Sequence, residues 1–173
     1  MAFDFNIVLI GFMGSGKSTI SKKLSERFGM EIVEMDQIIA EREQMSISEI
    51  FATKGEPYFR DLETNLLIEL QAEKNVVISC GGGVPMRECN VIEMKKNGKV
   101  VLLTARPETI LERVKDDHSR PLLENNKSVE YISELMEKRR EKYEAASDII
   151  VETDGKSADE ICEEIAKRVG EER

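Results

Sequence analysis

The sequence predicts an α/β domain, a five-stranded parallel sheet flanked by helices, and three observations carry that prediction. Short apolar runs alternate with longer helix-patterned stretches along the whole chain. Several runs are apolar on both faces, as strands covered by helices on both sides must be. A glycine-rich turn, Gly11 to Lys17, joins the first run to the first helical stretch. With 173 residues, of which 40% are hydrophobic, the chain suits one domain over 1–173 and leaves no room for two cores.

The candidate strands are Phe5–Ile10, Glu31–Glu34, Val76–Cys80, Val100–Thr104 and Ile149–Thr153, each short and rich in β-branched residues. A helix over Lys17–Phe28 stops at Gly29, and Asp36 is placed to cap a helix over Gln37–Glu43. Ser46-x-x-Glu49 and Ser157-x-x-Glu160 have the spacing of capping boxes. Pro57 opens an amphipathic stretch running to about Glu73, and Pro107 another to about Lys115. The polar segment 116–127, DDHSRPLLENNK, lies between two helical patterns. A loop of that length in a small domain is more often functional than accidental, which makes it a candidate lid.

Composition narrows the function. The net charge of −9 comes from interspersed charges without a basic stripe, which argues against nucleic acid as a partner. No apolar run approaches the length of a membrane span, and the start, MAFDFNIVLIG, lacks the basic n-region of a cleavable signal. A cytoplasmic monomer is expected. Three cysteines without a CxxC pair, and a lone His118 in the lid, suggest neither disulfides nor zinc, but reduced thiols packed as small apolar groups.

Gly11-Phe-Met-Gly-Ser-Gly-Lys17-Ser18-Thr19 matches G-x-x-x-x-G-K-[ST] after a strand and before a helix. Glycine lets backbone N–H groups of Gly14, Ser15, Gly16 and their neighbours converge on phosphate oxygens, and the helix dipole adds to the attraction. Lys17 is placed to reach the β- and γ-phosphates of ATP, and the Ser18 hydroxyl to bind Mg²⁺. Phe12 and Met13 occupy free positions and are expected to pack beneath the loop.

A phosphate loop alone separates neither kinases from GTPases nor enzymes from binding modules. On the acceptor side, the second strand ends in Glu34-Met35-Asp36. Strands of a parallel sheet aim their carboxyl ends at the active crevice, so Asp36 can orient an attacking hydroxyl and Glu34 can reach a metal through water. The bland alternative for Asp36 is the cap named above. Gly81-Gly82-Gly83 allows close approach to a ligand, or forms a plain turn. Arg60 has an i,i+3 partner in Glu63, and Arg139, in a run of basic residues, reads equally as a solvated face. Tyr58 and Tyr143 flank these arginines and are expected to pack.

Together these segments resemble the shikimate kinase family. The resemblance spans nearly the whole chain, through the phosphate loop, the acidic strand end, G-E-x-x-F-R-x-x-E at 55–63, the triple glycine, R-P-L-L at 120–123 and an arginine four residues before Tyr143. It implies a sheet with the first strand in the middle and a lid over the nucleotide. It implies transfer of the ATP γ-phosphoryl group to the 3-hydroxyl of shikimate, a step toward chorismate and the aromatic amino acids. By the same resemblance, Asp36 serves as base or positioner at the ring hydroxyls. Arg60 and Arg139 clamp the carboxylate, and the backbone of Gly82 and Gly83 contacts the ring substituents. Arg120 reaches the ATP phosphates, and Arg113 packs on adenine beside the loop at 153–157. Planar bidentate donors suit a carboxylate, which supports the clamp on chemical grounds. One departure stands out, because Glu34 occupies a position where the family usually has Asp.

Two other readings compete: a gluconate or nucleotide kinase, which would not need the triple glycine with the two arginines, and a silent binding module, suggested by Glu34 alone. A nucleic-acid-dependent NTPase is a distant third.

Overall fold

The computed structural model describes residues 3–116 and 127–171. Apart from Asp116 and Lys127, the segment expected as a lid falls outside the described residues, and Arg120 and His118 with it.

Five strands, β1 (Asn6–Ile10), β2 (Glu31–Glu34), β3 (Val76–Ser79), β4 (Gly98–Thr104) and β5 (Ile149–Glu152), form one parallel sheet in the order β2-β3-β1-β4-β5. The first strand is therefore in the middle. The alternation of side chains explains why the central strands are apolar on both faces. Val8, Ile10, Ile78, Val100 and Leu102 face one layer of helices, while Ile7, Leu9, Val77, Val101 and Leu103 face the other. Both layers exclude water, so a one-residue slip would gain nothing on either side.

The helices are α1 (Lys17–Phe28), α2 (Met35–Glu43), α3 (Ile47–Lys54), α4 (Glu56–Leu70), α5 (Glu88–Lys96), α6 (Pro107–Val114), α7 (Val129–Ala146) and α8 (Ala158–Glu171), with a 3-10 turn at Val84–Met86. Gly29 ends α1 with φ 67°, its N–H returning to the Ser25 carbonyl. Ser46 accepts from the Glu49 N–H at 3.1 Å, and Ser157 and Glu160 cap each other reciprocally. No helix among the described residues is long and apolar enough to cross a membrane.

Several expectations need correction. Asp36 does not cap α2. The helix begins at Met35, Glu34 takes the cap position without a side-chain bond, and Asp36 lies in the first turn. Strand β4 begins two residues early because Gly98 pairs with Asn6. Helix α4 ends at Leu70, with separate turns continuing to Glu73. Helix α5 gave little signal, since it buries only Asn90 and Met94 and leaves Ile92 61% exposed. Cys80 and Cys162 are buried as expected, whereas Cys89 is exposed; all three are free thiols.

The carboxyl ends of all five strands share one edge. At that edge the chain leaves β1 between β3 and β4, the point where strand order reverses and open α/β sheets bind ligands.

Candidate active site

The phosphate loop is built by conformations that side chains resist. Gly16, just ahead of α1, has φ 103°, and a Cβ on Gly11 would lie 2.5 Å from the Leu103 carbonyl oxygen. Phe12 and Met13 are buried beneath the loop, and Ser15 is buried with its hydroxyl lacking a hydrogen-bond partner among the described residues. Lys17 Nζ donates to the carbonyls of Gly11 at 2.7 Å and Phe12 at 3.1 Å, so the ammonium curls over the loop. Gly14, Gly16, Lys17, Ser18 and Thr19 line a cavity of about 310 Å³, with Glu34 and Asp36 on its far side. Arg113 also lines it, and its Nη1 donates to the Gly14 carbonyl at 2.9 Å. The guanidinium thus rests on the phosphate loop, on the nucleotide side of the site. Burial pushes the neighbouring Cys80 thiol upward, which keeps it neutral.

A second cleft, about 960 Å³, adjoins the first, and Ser18, Glu34, Asp36, Gly81 and Gly82 line both. Arg60, from α4, and Arg139, from α7, line the larger cleft together with Gly83 and Glu63. The fold therefore brings the two distant arginines, Asp36 and the phosphate-loop lysine to adjoining spaces.

The triple glycine makes this convergence possible, because each missing side chain leaves room for a different functional group. A Cβ at Gly81 would lie 2.9 Å from both Asp36 Oδ1 and Glu63 Oε2, one at Gly82 would lie 3.0 Å from Arg139 Nη1, and one at Gly83 would collide with Arg60 Nη1.

The two arginines are held differently. Arg60 Nη1 donates to Glu63 Oε1 at 2.8 Å, and Nε and Nη2 reach Glu56 at 3.3 Å. The helical pair weighed as the bland alternative does form, yet Glu63 is fully buried and Arg60 still opens onto the cleft. Arg139 is half-buried rather than solvated; Arg140 instead makes the surface pair, with Glu137. Arg139 lies over the Phe12 ring, 5.9 Å from its centroid, and its Nη1 donates to the Tyr143 hydroxyl at 3.3 Å.

Sequence reasoning gave Glu63 no role in the site. Burial pushes its carboxyl up to about 7, opposed by Arg60 and reinforced by the Asp36 charge. The signal was present: Phe59, Glu63, Leu66, Leu67 and Leu70 are the buried face of α4, so an acid sits in an apolar stripe.

A lysine-bearing glycine loop that opens onto a cleft lined by carboxylates and guanidinium groups defines a P-loop kinase acting on a small anionic acceptor. Comparison with known proteins narrows the class. The family model described as shikimate kinase matches residues 13–170. A shikimate kinase from Persephonella marina is 46% identical over 164 residues, spanning 95% of this chain and 98% of its own. The solved shikimate kinase from Acinetobacter baumannii, in complex with shikimate, superposes with a TM-score of 0.92 at 31% identity, covering 98% of this chain and 94% of that one. That from Aquifex aeolicus gives 0.82 at 40% identity over 95% and 96%. This chain belongs to the shikimate kinase family. It is an ATP-dependent kinase, and the silent module and nucleic-acid-dependent NTPase fall away.

Proposed function

We propose that this protein transfers the γ-phosphoryl group of ATP to the 3-hydroxyl of shikimate, giving shikimate 3-phosphate and ADP. The observation that carries the reading is the junction of the two cavities at Glu34, Asp36, Gly81 and Gly82. An acceptor held on the arginine side presents a hydroxyl to phosphates held on the lysine side.

In this reading Arg60 and Arg139 grip the ring carboxylate through paired N–H donors. The backbone of Gly82 and Gly83 lies against the ring substituents. Asp36 accepts the hydroxyl proton or orients the attacking oxygen. The loose transition state of phosphoryl transfer makes positioning and charge neutralisation weightier than base strength. Lys17, drawn from its two carbonyls to the phosphates, supplies that neutralisation, and the N–H groups from Gly14 to Thr19 cradle the nucleotide. The free thiols support a reducing, cytoplasmic setting.

Ser18 and Glu34 would hold Mg²⁺. Both line the phosphate cavity and offer hard oxygen donors, which fit this ion. Bound there, it would screen the negative charge of the phosphates. Glutamate would carry its carboxylate about one bond further than the family's usual aspartate, a shift to which a Mg²⁺ site would be sensitive. Glu34→Asp is therefore expected to change the apparent Mg²⁺ affinity severalfold while activity persists at saturating metal. A magnesium titration superimposable on that of the wild type would make the departure neutral.

Glu63 gives the cleft a pH dependence. Shikimate is anionic at neutral pH and is repelled by ionised Glu63, so its binding favours the protonated form. Affinity should be greatest below pH 7 and decline as pH rises through about 7. Glu63→Gln should flatten that decline. A wild-type affinity that rises across the same range would contradict this assignment.

A panel of shikimate, gluconate and nucleoside monophosphates in an ADP-release assay tests the function. ADP release that depends on shikimate supports it, and turnover of either other acceptor instead overturns it.

A further inference from the structure

Arg60 and Arg139 play parallel parts in the proposed clamp, yet the structure restrains them by different means. Arg60 is fixed by the carboxylates of Glu63 and Glu56 on its own helix. Among the described residues Arg139 has no such anchor, and its guanidinium has one hydrogen-bonding partner, the hydroxyl of Tyr143, one turn further along α7. That hydroxyl in turn donates to the Gly82 carbonyl at 2.7 Å. Tyr143 is 5% exposed, so water does not compete for these bonds. A second staple lies beside it, since Lys142 Nζ donates to the Met86 carbonyl at 3.0 Å. Helix α7 is thereby tied to the turn at 82–86 by two consecutive side chains.

We infer that Tyr143 is a positioning residue for substrate specificity: its hydroxyl joins Arg139 to the backbone of Gly82 and so aims the guanidinium at the acceptor carboxylate. The inference rests on reading the cleft as the shikimate site. Three observations make it more than packing. The hydroxyl is the shared atom of a three-membered chain, Arg139 to Tyr143 to Gly82. Gly82 is also the residue where a Cβ would lie 3.0 Å from Arg139 Nη1 and 3.5 Å from the Tyr143 hydroxyl, so guanidinium, hydroxyl and turn are fitted to one another. The other support of Arg139, the Phe12 ring 5.9 Å away, is apolar and offers the guanidinium no directional hydrogen bond. The Tyr143 hydroxyl supplies that direction. Burial raises its pKa against the influence of Arg139, so it remains a donor to Gly82 at neutral pH.

The test is a double-mutant cycle with Tyr143→Phe and Arg139→Ala, in which shikimate KM, ATP KM, kcat and thermal midpoint are measured. Phenylalanine keeps the ring and removes the shared atom. Loss of one such hydrogen bond should raise shikimate KM about three- to tenfold. The ATP KM and kcat should move less than shikimate KM does. In the Arg139→Ala background the same substitution should add nothing, because the group it aims is gone. An unchanged shikimate KM overturns the inference, and so does an equal rise in both backgrounds.

A second measurement covers loosened folding. Shikimamide, in which a neutral amide replaces the carboxylate, should separate Tyr143→Phe from the wild type less than shikimate does. An equal handicap on acid and amide means a structural role and overturns the assignment. Wild-type turnover of shikimate in the same assay keeps the two claims apart. An inactive wild type removes the function itself, whereas an active wild type with an indifferent Tyr143→Phe variant removes only the positioning role.

Discussion

Lys17→Ala is expected to lower kcat by about 10²- to 10³-fold, the range seen when one preorganised charge-stabilising donor is lost. The ammonium is the one cation that the strand–loop–helix unit itself carries to the phosphate cavity, where it rests 2.7 and 3.1 Å from two loop carbonyls. Those carbonyls hold it over the loop without cancelling its charge, so it stays available to exchange them for phosphate oxygens. Charge spreads onto the transferred group only in the transition state, and alanine removes a stabilisation that matters most there. Lys17 lines the phosphate cavity and not the larger cleft, so shikimate KM should stay within a few fold of wild type. Steady-state kinetics with both substrates varied provide the check. A kcat within tenfold of wild type would show that Lys17 is not the main source of neutralisation.

Arg60→Ala and Arg139→Ala should act on the other substrate. Each removes charge-assisted hydrogen bonds worth about 1.5–3 kcal/mol, so shikimate KM should rise roughly 10- to 150-fold in either variant while ATP KM holds. The two should differ in stability. Arg60→Ala leaves Glu63, fully buried, without its 2.8 Å partner, and the stranded carboxyl must take up a proton or bear the cost of burial, about 1–3 kcal/mol. Arg139→Ala strands only the neutral Tyr143 hydroxyl, which keeps its bond to Gly82. Thermal melting should therefore separate the pair even where kinetics do not. Unchanged shikimate KM in both variants would remove the clamp.

How legible this was in the sequence depended on whether the signal was local. The sheet was readable because its central strands must be apolar on both faces, and Ile7 to Ile10 satisfy two cores at once. The phosphate loop was readable because its chemistry fits into one short segment. Arg60 and Arg139, which line one cleft, were paired only through the family resemblance. Nothing in either segment shows that Gly83 leaves space for one guanidinium and Gly82 for the other. Asp36 was ambiguous because aspartate suits both a helix cap and an active site, and a helix start at Met35 rather than Gln37 decided against the cap. Glu63 drew the blander reading as a helical partner of Arg60, although its place in the apolar stripe of α4 marked it. Tyr143 drew one because its contact with Gly82 runs across the fold, which periodicity does not encode. Arg113 carried a nucleotide-side expectation drawn from the family resemblance, and its guanidinium lies on that side, bonded to the Gly14 carbonyl.

The central claim concerns the orientation of the acceptor between these groups, and a crystal structure of the protein with shikimate and ADP tests it most directly. The carboxylate is expected within hydrogen-bonding distance of both Arg60 and Arg139, with the 3-hydroxyl beside Asp36 and turned toward Lys17. Shikimate bound with its carboxylate on the lysine side, or outside the cleft that Gly81, Gly82 and Gly83 floor, would contradict the account.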